Sequence, residues 1–565
     1  MRSFFKKLLS MTDQRMAPRF TFFCSGILLI FVLPSCIILL AYASTSKSVD
    51  RAERLLISKD FEHDYLSGSL IEGKHNYVSS LRREPNSGSW LANTELSSSA
   101  AVSKISTSPV SASRNAYGTM LYVGTPRDYE FYIAARVLLQ SLRRFHVNAD
   151  RILIASLDVP QRWVDTFASE GIRVVRVPNL PNPFKDQLDF DKRFKHSLNK
   201  LYAWKLVEYE RIVMLDVDNV FMRNTDELFL CGQFCAVFID PCIFHTGLLV
   251  LEPSNMVFKE MYKYLSTGKL ESFDGADQGF LTSYFNNLLE KPLFYPPVNN
   301  SARLNGYYRL PLGYQMDASY FYIRLKWRVP CGPNSIITFP SASLLKPWYW
   351  WSWPVLPLGL VWHDQRRATI GYSDEASILL AESFLYCGLI VLASAASLGL
   401  IPTLHLDVDQ LYKSCVPRRL WAKHEAVYAM FFAKILPTIG IITSFLFPFW
   451  MVPTTAHSIA GWGVFLLGSL SFLTTLIAVF KFDQLPVLTP WVLIFLNLLV
   501  MAFPFYKNGI IRMLTVFGSA SFSTPFLWWS LKTIATRCSN SEREAGKTSP
   551  VLKVTSEVSS RNCAD

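Results

Sequence analysis

Six stretches of this chain are long and apolar enough to cross a bilayer, and they limit its fold more than any other feature. They are Phe20–Ala43, Ser383–Leu404, Ala426–Val452, Ser458–Phe480, Leu485–Tyr506 and Met513–Leu531. Each approaches the roughly 20 apolar residues that about 30 Å of hydrocarbon requires. The first is too long for a signal-peptide core and reads as an uncleaved anchor. Lys434 interrupts the third near its start, shallow enough for its ammonium to reach the interface. Basic residues gather in the N-terminal tail (Arg2, Lys6, Lys7, Arg15, Arg19) and after the second stretch (Lys413, Arg418, Arg419, Lys423), while Pro453–His457 has none. The positive-inside rule then puts both tails in the cytosol and the long segment between the first two spans in the lumen. The net charge of +12 sits largely in these flanks beside anionic lipid and requires no nucleic acid.

The predicted organisation is a cytosolic tail (1–19), an anchor (20–43), a Ser-rich stem (44–116), a globular α/β domain (117–365), five membrane helices (383–531) and a disordered cytosolic tail (532–565). Within the globular part, strands are expected at 117–125, 151–157, 171–177, 211–215, 234–239 and 243–251. Helices are expected from Asp128, its cap, from Pro160, over 198–208, around 255–265 and around 276–287. Alternating strands and helices predict a mostly parallel sheet covered on both faces. The segment from Pro292 to Pro347 reads as loops and short strands, with a glycosylation sequon at Asn299–Ser301. Cys231, Cys235, Cys242 and Cys331 permit two disulfides in any of three pairings, and their spacing lacks the paired C-x-x-C of zinc sites.

The apolar run Arg211–Leu215 leads into Asp216-Val217-Asp218. On a strand, carboxylates two apart share a face, and ligands bind beyond the carboxyl ends of such strands. Two hard oxygen donors suit Mg²⁺ or Mn²⁺ bridging to a diphosphate; the competing reading is an acidic turn. Asp407-Val-Asp409 repeats the pattern with no strand before it, on the other side of the membrane. Trp348, Tyr349, Trp350, Trp351 and Trp353 crowd together before the second span and read as a membrane-docking surface, with core packing as the alternative.

The ordered series Tyr122-Val-Gly-Thr-Pro-Arg-Asp-Tyr129, Leu198-Asn-Lys200-Leu-Tyr-Ala-Trp204, Leu215-Asp-Val-Asp218, Phe244-His-Thr-Gly247, Asp274-Gly-Ala-Asp277-Gln278-Gly and Lys346-Pro-Trp348 resembles glycogenin-like glycosyltransferases of family 8. It looks most like the plant-type inositol phosphorylceramide glucuronosyltransferases. The resemblance implies a GT-A fold, a UDP-sugar donor, Mn²⁺ (or Mg²⁺), retention of anomeric configuration and a Golgi membrane location. It implies that Asp216 and Asp218 hold the metal and that Lys346 assists the departing phosphate. Thr125 and Tyr129 would hold the uracil, Lys200 would lie near the nucleotide sugar, and Asp277 and Gln278 would line the donor sugar. Val217, Thr246 and Gly247 fall within the same donor-binding motifs. Same-face attack is expected, with Asp277 as the alternative nucleophile. Two departures stand out: Ile337–Pro340 lies where relatives carry a ligating His, and His245 replaces an Asn. His245 is therefore a candidate ligand or sugar contact, or else a core histidine.

The implied acceptor is inositol phosphorylceramide and the implied sugar glucuronic acid, with Arg136 or Arg193 as a carboxylate partner. Five spans beyond an anchor favour a lipid acceptor. The rivals are a polysaccharide or protein acceptor, or a scaffold or transporter with a degenerate domain; Lys434, nearly the only charge in the predicted bundle, counts against transport.

Overall fold

Strands β1 (Asn115–Leu121), β2 (Asp150–Ser156), β3 (Arg173–Val177) and β4 (Arg211–Leu215) are apolar runs that pair in parallel, β2 with β3 and β1 with both β2 and β4. The computed structural model describes residues 115–187, 190–297, 303–324, 334–339, 342, 344–397, 438–480 and 482–547. The anchor Phe20–Ala43 and its tail, nearly all the stem, the sequon, Cys331, Lys434 and Asp407–Asp409 lie outside them.

Alternate residues of β4 feed two different cores. Val213 and Leu215 join one buried cluster and Ile212 and Met214 the other, as a strand's two-residue period requires. The first core is closed by α1 (Asp128–Arg144) and α2 (Gln161–Ser169). The second is closed by a 3₁₀ run (Ser197–Lys205), α3 (Asn255–Thr267) and α4 (Asp277–Tyr284). Two further strands, β6 (Phe234–Phe238) and β7 (Phe244–Leu251), extend the sheet, and β8 (Tyr307–Leu310) completes its edge. The seven-stranded order is β3-β2-β1-β4-β7-β6-β8, with β7 antiparallel to both neighbours.

Local differences from the sequence reading have physical causes. The 3₁₀ run replaces the helix expected over 198–208, because Ser197 through Trp204 are buried on every side rather than along one stripe. Asp128 does not cap α1. Its carboxylate accepts from the Gly124 and Thr125 N–H groups and the Thr125 hydroxyl, closing the loop that precedes the helix. Cys231 and Cys235 form a disulfide, and Cys242 is a free, exposed thiol.

A second, three-stranded sheet lies beyond β4. Its order is β5 (Asn219–Phe221), β10 (Ile336–Thr338), β9 (Met316–Asp317), the last two drawn from the stretch that reads as loops and short strands. A short helix α5 (Ala318–Arg324) follows β9, and α6 (Gly359–Thr369) packs on α1.

The C-terminal part contains α7 (Ser373–Ser397), α8 (Thr438–Met451), α9 (Ser458–Phe480), α10 (Gln484–Ala502) and α11 (Gly509–Lys547). Among the described residues four helices are long and apolar enough to span a membrane; the first of the six expected spans lies outside those residues. Only Thr438–Met451 of the third stretch is described as helix, and it is shorter. Helix α7 begins ten residues before its predicted start, since Asp374 and Glu375 suit a helix N-terminus. It thereby brings Glu375 and Glu382 into the bundle, both buried, so Lys434 is not nearly the only charge there. Neither Glu382 oxygen has a partner among the described residues. Helix α11 continues to Lys547, past the Lys532 where a disordered tail was expected.

Three rings of the aromatic run, Trp348, Tyr349 and Trp350, are buried rather than laid against lipid, and Trp351 and Trp353 are half-buried. Trp348 and Tyr349 belong to the first core, while Trp350 lies in the helical cluster among Phe449, Trp462 and Phe465. Gly461 permits this approach: a Cβ there would stand 2.6 Å from Trp350. Trp462 donates to the Trp353 carbonyl, Arg512 to that of Pro354, and Arg366 to that of Thr455. Arg366 also pairs with Glu375 at the start of α7. Helices α7, α9 and α11 therefore all begin beside the domain, whereas Asp483, just before α10, pairs with Arg537 at the far end of α11.

His363 sits in this joint with no exposed surface. Its Nδ1 lies 2.6 Å from the Tyr372 hydroxyl and its Nε2 3.0 Å from that of Ser458. Burial, and after it His457, Arg366 and Arg367, holds its pKa well below the ordinary value. The unfolded chain thus takes up a proton that the folded one refuses, so stability is lost as pH falls below about 6.5, by about 1.4 kcal/mol per unit for this proton. Melting followed from about pH 7.5 to about 5.5 should show this slope, and His363→Gln should flatten it.

Candidate active site

Strand β4 stops at Leu215, and the chain turns at once into β5. The Asn219 N–H bonds the Asp216 carbonyl at 3.2 Å, so the two acids occupy a tight turn between the sheets rather than a strand face. The turn is pinned by β7, whose Gly247 carbonyl accepts from Asp216 N at 2.9 Å and from Asn219 Nδ2 at 2.7 Å. Val217 packs against the first core and offers no polar group.

Two lysines close on the three aspartates. Lys200 Nζ, from the 3₁₀ run and 1% exposed, lies 2.9 Å from Asp216 Oδ1, 2.5 Å from Asp277 Oδ2 and 3.0 Å from the Thr246 carbonyl. The Thr246 hydroxyl donates to the same Asp277 oxygen at 2.9 Å. Lys346 Nζ donates to Asp218 Oδ2 at 2.6 Å. Asp277 opens α4, its N–H bonded to Ser197 Oγ at 3.2 Å, while Asp274 Oδ1 caps that helix through Ala276 N and Gly279 N. Gln278 is half-buried in the same first turn.

Burial, aided by Asp277 and Asp218 and opposed by Lys200, raises the Asp216 carboxyl pKa above the usual range. Burial alone would lower the Lys200 pKa, but Asp216 and Asp277 outweigh it and raise it. Tyr122 was quoted in the first motif without a role. Burial first, then Asp277 and Asp216, keeps its phenol protonated, and it donates to the Arg193 carbonyl at 2.6 Å.

Thr125 shapes the loop above the sheet, its hydroxyl bonded to Asp128, and Tyr129 is 42% exposed, outside the core. His245 Nδ1 accepts the Gly247 N–H at 2.9 Å and lies 2.8 Å from Gln315 Nε2. With Nδ1 accepting, the neutral ring carries its proton on Nε2. Phe339 is buried in the first core. Arg136 is engaged by Glu170 and lies over the Tyr132 ring. Arg193 pairs with Asp191 at 2.6 Å, in the segment that Tyr122 ties to the site.

Among the described residues no group of three or more His, Cys, Asp and Glu side chains gathers as a metal cluster. The two-acid turn still fits a cation, because Asp218 Oδ1 is buried without a partner among the described residues.

The Arabidopsis thaliana protein PGSIP7, named for glucuronosyltransferase activity, is 54% identical over 418 residues, covering 74% of this chain and 82% of that one. The chain belongs to the PGSIP family of family 8 glycosyltransferases. A family profile described as the PGSIP7 C-terminal domain matches residues 374–545. More distant relatives of this PGSIP protein include inositol phosphorylceramide glucuronosyltransferase 1 of Arabidopsis thaliana, 31% identical over 260 residues, 45% of this chain and 46% of that one. Among solved structures, the galactosyltransferase LgtC with donor and acceptor sugar analogs covers 45% of this chain and 96% of its own, at 13% identity and a TM-score of 0.31. The PGSIP chain builds a mixed α/β sheet.

Proposed function

We propose that this protein is a retaining glucuronosyltransferase of the Golgi membrane that moves glucuronic acid from UDP-glucuronate to the inositol of inositol phosphorylceramide. One observation carries the lipid acceptor. Lys346, bonded to Asp218, stands four residues before Trp350, which is buried among the apolar helices. Four residues reach at most about 14 Å, so the site lies close to the level of a headgroup.

Asp216 and Asp218 would hold Mn²⁺ or Mg²⁺, which when bound neutralises charge on the departing diphosphate. Lys346 adds a cation to the leaving phosphate, and the Thr125–Tyr129 loop is assigned to the uracil. Gln278, Thr246, Gly247 and His245 line the donor side. Asp277 Oδ2 is already held by Lys200 and Thr246, which lowers its power as a nucleophile. That favours attack by the acceptor hydroxyl on the face the phosphate leaves, with Asp277 positioning the donor sugar.

Membranes containing the protein, incubated with labelled UDP-glucuronate and inositol phosphorylceramide, should yield labelled lipid only with a divalent cation. Label in polysaccharide or protein, and none in lipid, would overturn the acceptor assignment. Arg193 is the candidate reader of the donor carboxylate. Arg193→Ala should cut the preference for UDP-glucuronate over UDP-glucose by about tenfold or more, the worth of one charged hydrogen bond. Competing-donor kinetics would show an unchanged ratio if Arg193 has no such role.

A further inference from the structure

The turn that carries Asp218 leads into β5, whose Asn219 opens a row of polar side chains. Thr338 on β10 pairs directly with Asn219 on β5 and with Asp317 on β9, and directly paired residues share a sheet face. Gln315, two residues before Asp317, falls on that face as well. Apolar Val220, Ile337 and Met316 take the other side, all buried.

The polar face packs on Gly247. Asn219 Nδ2 bonds its carbonyl, and a Cβ on Gly247 would stand 2.5 Å from Gln315 Nε2. Asn219, Gln315 and Thr338 are each 2% exposed or less. Even so, Asn219 Oδ1, Gln315 Oε1, Thr338 Oγ1 and Asp218 Oδ1 have no hydrogen-bond partner among the described residues. Turning the Gln315 amide would set Oε1 against His245 Nδ1, whose lone pair already accepts from Gly247 N, so the turn brings no relief.

Buried acceptors left open signal a missing water or ion. Three of these oxygens only accept, and one water brings two hydrogens, too few for them. Asp218 stands next to Asn219 in the chain, and a carboxylate with neutral amide and hydroxyl oxygens is a donor set that a hard divalent cation takes. Among the described residues no group of three or more His, Cys, Asp and Glu gathers there, so the unpartnered neutral oxygens are the donors that remain to be assigned.

We propose that Gln315 Oε1 and Thr338 Oγ1, together with Asp218 Oδ1, are ligands of a divalent cation in an all-oxygen site. This rests on the reading that the Asp216–Asp218 turn holds the ion. It adds that the small sheet, not a histidine before Lys346, supplies the remaining protein ligands.

The test is Mn²⁺ titration of the full-length protein in detergent without donor, following loss of the free-ion electron paramagnetic resonance signal. Thr338→Val keeps the shape and removes the oxygen, and Gln315→Leu removes the amide. Each should weaken Mn²⁺ binding about tenfold or more, with the metal-free melting temperature of Thr338→Val unchanged. Gln315→Glu should tighten it. Unchanged affinity in Thr338→Val and Gln315→Leu, with binding abolished in Asp218→Asn, would overturn this proposal and leave the two-acid reading standing. Failure of the wild-type protein to bind Mn²⁺ would overturn both. If Gln315→Leu does not fold, Thr338→Val decides.

Discussion

Replacing Lys200 by methionine is expected to destabilise the domain by about 3–5 kcal/mol, the cost of breaking a buried ion pair from one side. The ammonium is 1% exposed and makes three contacts, to Asp216, Asp277 and the Thr246 carbonyl. Methionine fills the volume but leaves the Asp277 carboxylate, itself 9% exposed, facing only the Thr246 hydroxyl. Because the Lys200 pKa is raised, its contribution is complete below its ordinary value and is lost only in strong alkali, so the deficit should be constant across neutral pH. In a domain of this size the melting temperature should fall on the order of 10 °C. Asp277→Asn in the same background should restore part of the loss by removing the stranded charge. A single variant melting within about a degree of wild type would remove the ammonium from this role.

Trp350→Ala is the second large effect, again about 3–5 kcal/mol, the usual range for emptying a buried aromatic site. The ring is fully buried, with ring centroids of Phe449, Trp462 and Phe465 at 5.1, 5.2 and 5.7 Å. Its distinguishing consequence is kinetic. On the proposed function, transfer to a lipid depends on how the domain is seated over the helices, whereas hydrolysis of UDP-glucuronate depends only on the cleft. The variant should therefore lose lipid transfer far more than hydrolysis, both measured on the same detergent-purified protein. Gly461→Ala attacks the same contact from the helix side and should split the two activities the same way. Equal losses would show that the joint serves stability alone.

The sheet was legible because its central strands are short, continuous apolar runs bounded by turn residues, and β4 announces itself this way before its two acids. The cluster of Lys200, Asp216, Asp218, Asp277 and Lys346 was reachable through motifs whose order follows the fold. What sequence could not show is chemistry assembled across distance without periodicity. Gln315 and Thr338 sit in a stretch with no repeating pattern, and only strand pairing brings Thr338 opposite Asn219. Glu375 and Glu382 were missed for the opposite reason. A search for charge-free windows starts the helix after its charges, although Arg366 and Thr455 make Glu375 welcome there. The tryptophan run looked like an interface feature because its composition does not reveal that consecutive rings enter two different cores.

The attachments between domain and bundle come from separate helices: Arg366 to the start of α7, Trp350 and the Trp353 carbonyl to α9, and the Pro354 carbonyl to α11. Attachment to three separate helices holds the domain more firmly than a single tether could. The heading of the cleft relative to the helices is then built in.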